Sequence, residues 1–212
     1  MARQGMRFTQ AYAGSTVCAP SRAALITGLH TGHCTIRGNK RVAIPPSDLT
    51  VAEVLKDAGY ATGLVGKWGL GNEGTTGVPT KQGFDEFFGF LDQRHAHTYY
   101  SEYLWRGETR VALEGNVESE ENVAIQRTQY SHDMMTANAI DFIRRQDEDP
   151  FFLYLAYTIP HANNERGSAL GDGMEVPDYG AYVDADWPMP QKGHAAMISR
   201  LDRDVGTLLD LL

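Results

Sequence analysis

Four side chains in this sequence combine reactive or charged groups with a placement that brings them to bear on a ligand: Cys18, Arg22, Lys67 and His161. Cys18 stands just before Pro20, whose ring presets φ for a first helical turn, and residues 21–26 continue as a short helix that Gly28 can end. A group at a helix start meets unpaired backbone N–H groups and the positive end of the helix dipole, so an oxyanion such as sulfate or phosphate fits beside Cys18. Arg22, one turn on, adds a bidentate donor for a tetrahedral oxyanion. The same surroundings would stabilise a plain thiolate and make Cys18 a cysteine nucleophile. Physics alone leaves both readings open. Lys67 and His161 each follow a short apolar run, at the carboxyl end of a strand, where open α/β sheets bind their ligands. Outside such a place a lone lysine reads as solvated, and a lone histidine as a satisfied core or loop residue.

The elements that must position these groups follow from pattern. Residues 8–17, rich in aromatic and small residues, read as a strand or extended segment. Residues 30–47 carry glycines and the pair Pro45-Pro46 and read as loop. Val51, Val54, Leu55 and Ala58 have helical spacing, with Thr50 as cap and Glu53 three residues on, and Gly59 ends that helix. Residues 60–65 make a short apolar strand, followed by a glycine-rich loop over 66–77. Residues 84–90 are aromatic and pack on the core, residues 92–103 show no clear period, and residues 114–121 form an acidic hairpin or loop. An amphipathic helix covers 130–145, a buried parallel strand 151–158, a long surface loop 163–189 and a last helix 193–212. Helix, strand and loop in this order predict an α/β fold, a mostly parallel sheet flanked by helices.

Composition narrows the functions. The 212 residues are 42% apolar and 22% charged, as in soluble globular domains. A formal charge of −8 and the absence of any basic tract exclude a nucleic-acid partner. No apolar run is long enough to span a bilayer, and residues 1–7 lack the apolar segment of a secretory signal. Two cysteines exclude a disulfide framework, no spacing matches structural zinc, and Cys34 reads as a small buried hydrophobe.

Cys18-Ala19-Pro20-Ser21-Arg22, followed by Thr27-Gly28, resembles the C-x-P-S-R signature of type I sulfatases, in which the cysteine is oxidised to formylglycine. Gly66-Lys67-Trp68-Gly69-Leu70-Gly71 resembles the second motif of that family and Ile159-Pro160-His161 a third. Residues 201–206 are similar to the helix before the family's late metal ligands. Four matches in order cover essentially the whole chain. The resemblance implies an alkaline phosphatase-like fold and hydrolysis of sulfate esters. One hydroxyl of the hydrated formylglycine attacks sulfur, and the second expels sulfate and regenerates the aldehyde. Calcium and cationic side chains stabilise the charge that develops. On this resemblance Cys18 is the nucleophile precursor, Arg22 holds the modified group, and Lys67 and His161 contact the sulfate. The expected partners are a sulfated carbohydrate or aryl sulfate and a formylglycine-generating maturation enzyme. The expected location is periplasmic or extracellular.

Two departures accompany the resemblance. Gly69 stands where the family often has a histidine, and Gln93-Arg94-His95-Ala96-His97 offers a replacement, so His97 or His95 is the candidate general acid. The aspartates and the Asp-Asn pair that hold calcium in the family have no counterpart here, and Asp202 and Asp204 read as solvated or helix-bonding groups. No metal ligand is therefore assigned. Residues 1–212 are expected to be a partial catalytic domain lacking the first strand and the later metal-binding and C-terminal parts, and to be inactive alone. Two other readings remain: a phosphomonoesterase or phosphonate hydrolase of the same superfamily, and a non-catalytic fragment or sulfated-glycan binder, with Tyr99, Tyr100, Tyr103 and Trp105 as stacking residues or core.

Overall fold

Helix α1 (Cys18–Thr27) ends at Gly28, whose left-handed φ of 69° closes it. Helix α2 (Val51–Asp57) begins with a capping box: the Thr50 side chain accepts from the Glu53 backbone N–H while the Glu53 carboxylate accepts from the Thr50 N–H. Strand β1 (Ala61–Lys67) follows, then β2 (Glu86–Phe90), the hairpin of β3 (Tyr103–Arg106) and β4 (Thr109–Ala112), and a small hairpin of β5 (Val117–Glu118) and β6 (Ala124–Gln126). Helix α3 (Ser131–Arg144), strand β7 (Phe151–Ala156), helix α4 (Asn164–Leu170) and helix α5 (Met189–Leu209) complete the order. This is a computed structural model, and it describes residues 2–146 and 149–212.

The main sheet has five strands in the order β4-β3-β2-β1-β7. β1 pairs in parallel with both β2 and β7, and β3 and β4 continue the sheet antiparallel beyond β2. Period-two alternation sends successive β1 residues to opposite faces. Leu64 packs with Ala19, Ala23 and Ile26 of α1 and Ala52 of α2. Val65 packs with Met135, Ala139 and Phe142 of α3 and Leu208 of α5. Each large side chain fully buried in these layers contributes roughly 1.5–3 kcal/mol. The chain is thus α/β with helices on both faces of a mostly parallel sheet.

Several expectations are corrected. Residues 8–17 form no strand; Phe8 and Tyr12 are 72% and 88% exposed, and no strand among the described residues pairs with them. β3 and β4 were hidden because four-residue strands joined by a Gly107 turn leave too little pattern to read. β7 is half-buried rather than buried, since it lies at the sheet edge and pairs with β1 alone among the described residues. The expected loop 163–189 contains α4, capped by the Asn163 side chain, and the last helix starts at Met189 rather than at position 193, with Pro190 in its first turn. Tyr99, Tyr100 and Trp105 are core residues. Asp202 is exposed, as expected, but Asp204 is buried where α5 packs on α3, and it takes a 2.9 Å bond from His132 Nε2.

That buried pair sets an acid limit on stability. Burial holds the His132 pKa below 6.5, outweighing the Asp204 bond. Burial would raise the Asp204 pKa, but bonds from Arg203 and His132 hold it down. As pH falls through 6.5 the unfolded chain takes up a proton on His132 that the folded chain does not, so stability falls. Loss of the depressed Asp204 carboxylate removes more at lower pH. Urea unfolding should show this decline between about pH 7.5 and pH 5.5. His132→Ala should cost about 3 kcal/mol at neutral pH and remove this pair's share of the decline, leaving that of the buried His95; an unchanged slope would show that His132 makes no contribution.

Candidate functional site

α1 and β1 bring Cys18 and Lys67 together. Ala19, Ala23 and Ile26 seat α1 on the sheet face, and the Ala19 N–H donates to Asn39 Oδ1 at 2.8 Å. Gly66, at a φ of 120° that favours glycine, lets β1 pass so close to β7 that an added Cβ would lie 2.2 Å from the Ala156 carbonyl oxygen. The next residue, Lys67, is 3% exposed, and its Nζ lies 3.6 Å from Cys18 Sγ. An Arg22 Nη1–H donates to the Lys67 carbonyl, tying the arginine to the strand end. Burial pulls the Lys67 pKa from 10.5 to about 8; the neighbouring Cys18 opposes that shift and Arg22 adds to it.

The anion cradle differs from the one expected at the helix start. Asn39 already occupies the Ala19 N–H, Pro20 has none, and the Ser21 N–H bonds the Val17 carbonyl. Positive charge at Cys18 therefore comes chiefly from the side chains of Lys67 and Arg22. These residues and His161 line one cleft of about 320 Å³, together with Thr16 and Thr158.

His161 follows β7, and its backbone N–H bonds the Thr158 carbonyl at 3.0 Å. Its ring stacks on that of His97, with centroids 5.1 Å apart and planes 16° from parallel. Partial desolvation, with Lys67 next to it, holds the His161 pKa below the usual imidazole value, against the bond to the Ala162 carbonyl. His97 sits in a 3-10 turn, His95–His97, and its Nδ1 lies 2.9 Å from Glu165 Oε2 on α4. Burial would raise the Glu165 pKa, but the bond to His97 and the nearby Arg94 hold it down. The structure thus groups Cys18, Arg22, Lys67 and His161 around one cleft, with His97 stacked on its rim.

His95 is not brought to Cys18. Its ring packs edge-on to Phe90 at 4.9 Å and against Tyr103 at 4.5 Å, lining a different pocket with Glu118 and Arg110. Burial lowers its pKa to about 4. Gly69 has a φ of 74°, and a Cβ there would meet Gln93 Nε2 at 1.9 Å, so Gln93 fills the space a side chain at 69 would need. Gln93 Nε2 also donates to the Gly69 carbonyl at 2.9 Å.

Glu165 and Asn39 escape sequence reading, because lone polar residues in segments read as loop carry no periodic or motif signal. Among the described residues no group of three or more His, Cys, Asp or Glu side chains is placed to hold a metal ion. These residues therefore do not fit a calcium ion by themselves.

Fold and cleft define an α/β protein with a cysteine and two cations beyond the carboxyl ends of parallel strands. A family model described as Sulfatase matches residues 1–200. The chain is 35% identical over 184 residues to an arylsulfatase of Hemicentrotus pulcherrimus, covering 77% of this chain and 32% of that protein. It is 32% identical over 233 residues to the N-acetylgalactosamine-6-sulfatase of Sus scrofa, covering 100% of this chain and 41% of that one. Among solved structures, Ps i-CgsB in complex with k-i-k-neocarrahexaose superposes with a TM-score of 0.71 at 26% identity, over 95% of this chain and 45% of that one. The chain belongs to the sulfatase family, within the alkaline phosphatase superfamily. It spans 32% and 41% of the length of these two curated relatives.

The coupling around Cys18 is directly measurable. In a titration followed by NMR of ε-labelled lysine, the Lys67 signal should move near pH 8, well below the other lysines. Arg22→Ala should raise that midpoint and Cys18→Ala should lower it. A Lys67 midpoint at the ordinary lysine value would contradict the buried placement.

Proposed function

We propose that the whole protein hydrolyses sulfate esters of a sulfated saccharide, with a formylglycine made from Cys18 as nucleophile. One observation carries the reading: the Lys67 ammonium lies 3.6 Å from Cys18 Sγ, with Arg22 bound to the carbonyl of the same lysine. Sγ here stands in for the oxygen of a hydrated aldehyde. Formylglycine supplies a hydroxyl to attack sulfur and a second through which the sulfated residue is released.

The chain's own groups do the rest. Protonated Lys67 donates to a sulfate oxygen where water is excluded, so its charge counts for more than in solvent. Arg22 holds the residue at position 18 against the end of β1. His97 is the general acid: Glu165 engages Nδ1 and leaves Nε2 to protonate the departing oxygen. His161 Nδ1 lies 2.6 Å from the Ala162 carbonyl, so the neutral ring offers Nε2 as an acceptor. Its contact with a sulfate oxygen belongs to the protonated ring, formed as pH falls. His95, turned into another pocket, has no part in this reading.

Two of the names, an N-acetylgalactosamine-6-sulfatase and a complex with k-i-k-neocarrahexaose, support a sulfated saccharide, whereas the arylsulfatase name does not separate it from an aryl sulfate. Such a polysaccharide fits work in the periplasm or outside the cell, and formation of formylglycine calls for a maturation enzyme. No helix among the described residues is long and apolar enough to cross a membrane.

The full-length protein, produced together with a formylglycine-generating enzyme, tests the reading. The Cys18 peptide should carry the mass of an aldehyde in place of CH2SH, and Cys18→Ala should abolish turnover. Sulfate esters should be cleaved faster than phosphate esters of the same leaving group; the reverse order would favour a phosphomonoesterase. His97→Ala should lower turnover of esters with poor leaving groups by about 10²–10⁴-fold and spare activated aryl esters. Equal loss on both would remove His97 as the acid.

A further inference from the structure

Glu175 is a fully buried carboxylate far from the cleft in sequence, with 0% exposure. Its Oε2 accepts two bonds, one from the Tyr99 backbone N–H and one from Asn163 Nδ2, both at 3.1 Å. Arg127 Nη2 lies 3.5 Å and Arg166 Nε 3.9 Å from Oε1, which keeps the buried charge in the company of two cations. Tyr130 donates its hydroxyl to the Glu175 carbonyl at 2.8 Å, fixing the backbone that carries the group.

The two bonds at Oε2 reach the two segments that carry the stacked histidines. Tyr99 lies two residues after His97, and Asn163 two residues after His161. Each arm then crosses to the other histidine. The Tyr99 hydroxyl donates to the His161 carbonyl. The Asn163 side chain caps α4 by accepting from the Arg166 N–H at 3.0 Å, and α4 carries the Glu165 that pairs with His97. Glu175 thus joins the two residues, Tyr99 and Asn163, whose other bonds reach the two histidines.

We propose that Glu175 is a positioning residue that fixes the spacing and tilt of the His97–His161 stack. Its kinetic consequence rests on the reading of His97 as general acid, whereas its structural consequence does not. In Glu175→Gln one side of the amide is an NH2, which faces either the two arginines at the Oε1 position or the two donors at the Oε2 position, so one set of contacts is lost in either orientation. Misplacement of a reacting group by about 1 Å costs on the order of 10²-fold in rate.

Two measurements test this. In this chain, the imidazole 1H–13C signals of both His97 and His161 should shift in Glu175→Gln and in Tyr99→Phe, which removes one hydroxyl only. Those of the distant His30 and His33 should stay in place. Unmoved His97 and His161 signals would overturn the proposal. In the full-length protein, Glu175→Gln should cut kcat for esters with poor leaving groups by roughly 10–100-fold, with activated aryl esters and KM nearly unaffected. Tyr99→Phe should do the same by a smaller factor. Thr50→Ala, which removes the cap of α2, is the control for general loss of stability: it should lower both ester classes alike. A Glu175→Gln variant that copied the control would also overturn the proposal. Shifted imidazole signals in a full-length protein without sulfate-ester turnover would uphold the positioning role and sink the proposed reaction instead.

Discussion

An ammonium group taken out of water at the end of β1 is the constraint around which this structure is arranged. Lys67 is nearly inaccessible, and removing a cation from solvent is costly unless its surroundings compensate. The sheet supplies the position, since β1 is flanked by parallel partners on both sides and ends at the cleft. Arg22 does not offset the charge but adds to it, so the site in its resting form is a concentration of positive charge waiting for an anion. A site built this way stores part of the free energy that an oxyanion releases on entry.

Much of the frame was legible because it rests on local rules. The Thr50–Glu53 box, the left-handed Gly28 and the period of Met134–Ile143 each depend on a few neighbouring residues, and each appears where expected. Cys18, Arg22, Lys67 and His161 were legible through motif order and strand ends. The rest depends on contacts between residues far apart in the chain. Asp204 looks like any helix-surface aspartate until α3 sets His132 against it. His95 and His97 are indistinguishable in sequence, yet a single 3-10 turn sends one into an aromatic pocket and the other to the cleft rim.

The groups that hold the two histidines are organised differently from those around Cys18. Around Cys18 the groups are charged and line a cleft, whereas around Glu175 they are buried, and Oε2 accepts from a backbone N–H and an amide. Buried polar networks are rigid when their members are satisfied, because each broken bond strands a group without water. That rigidity is useful next to histidines whose ring nitrogens must keep their assigned partners.

Gly69 and Gln93 form one unit of change. The glutamine amide sits where a side chain at 69 would project and is bonded to the glycine's own carbonyl. A side chain at 69 would have to turn the Gln93 amide aside, break its bond to the carbonyl at 69 and bear a left-handed backbone, so the two positions answer to each other.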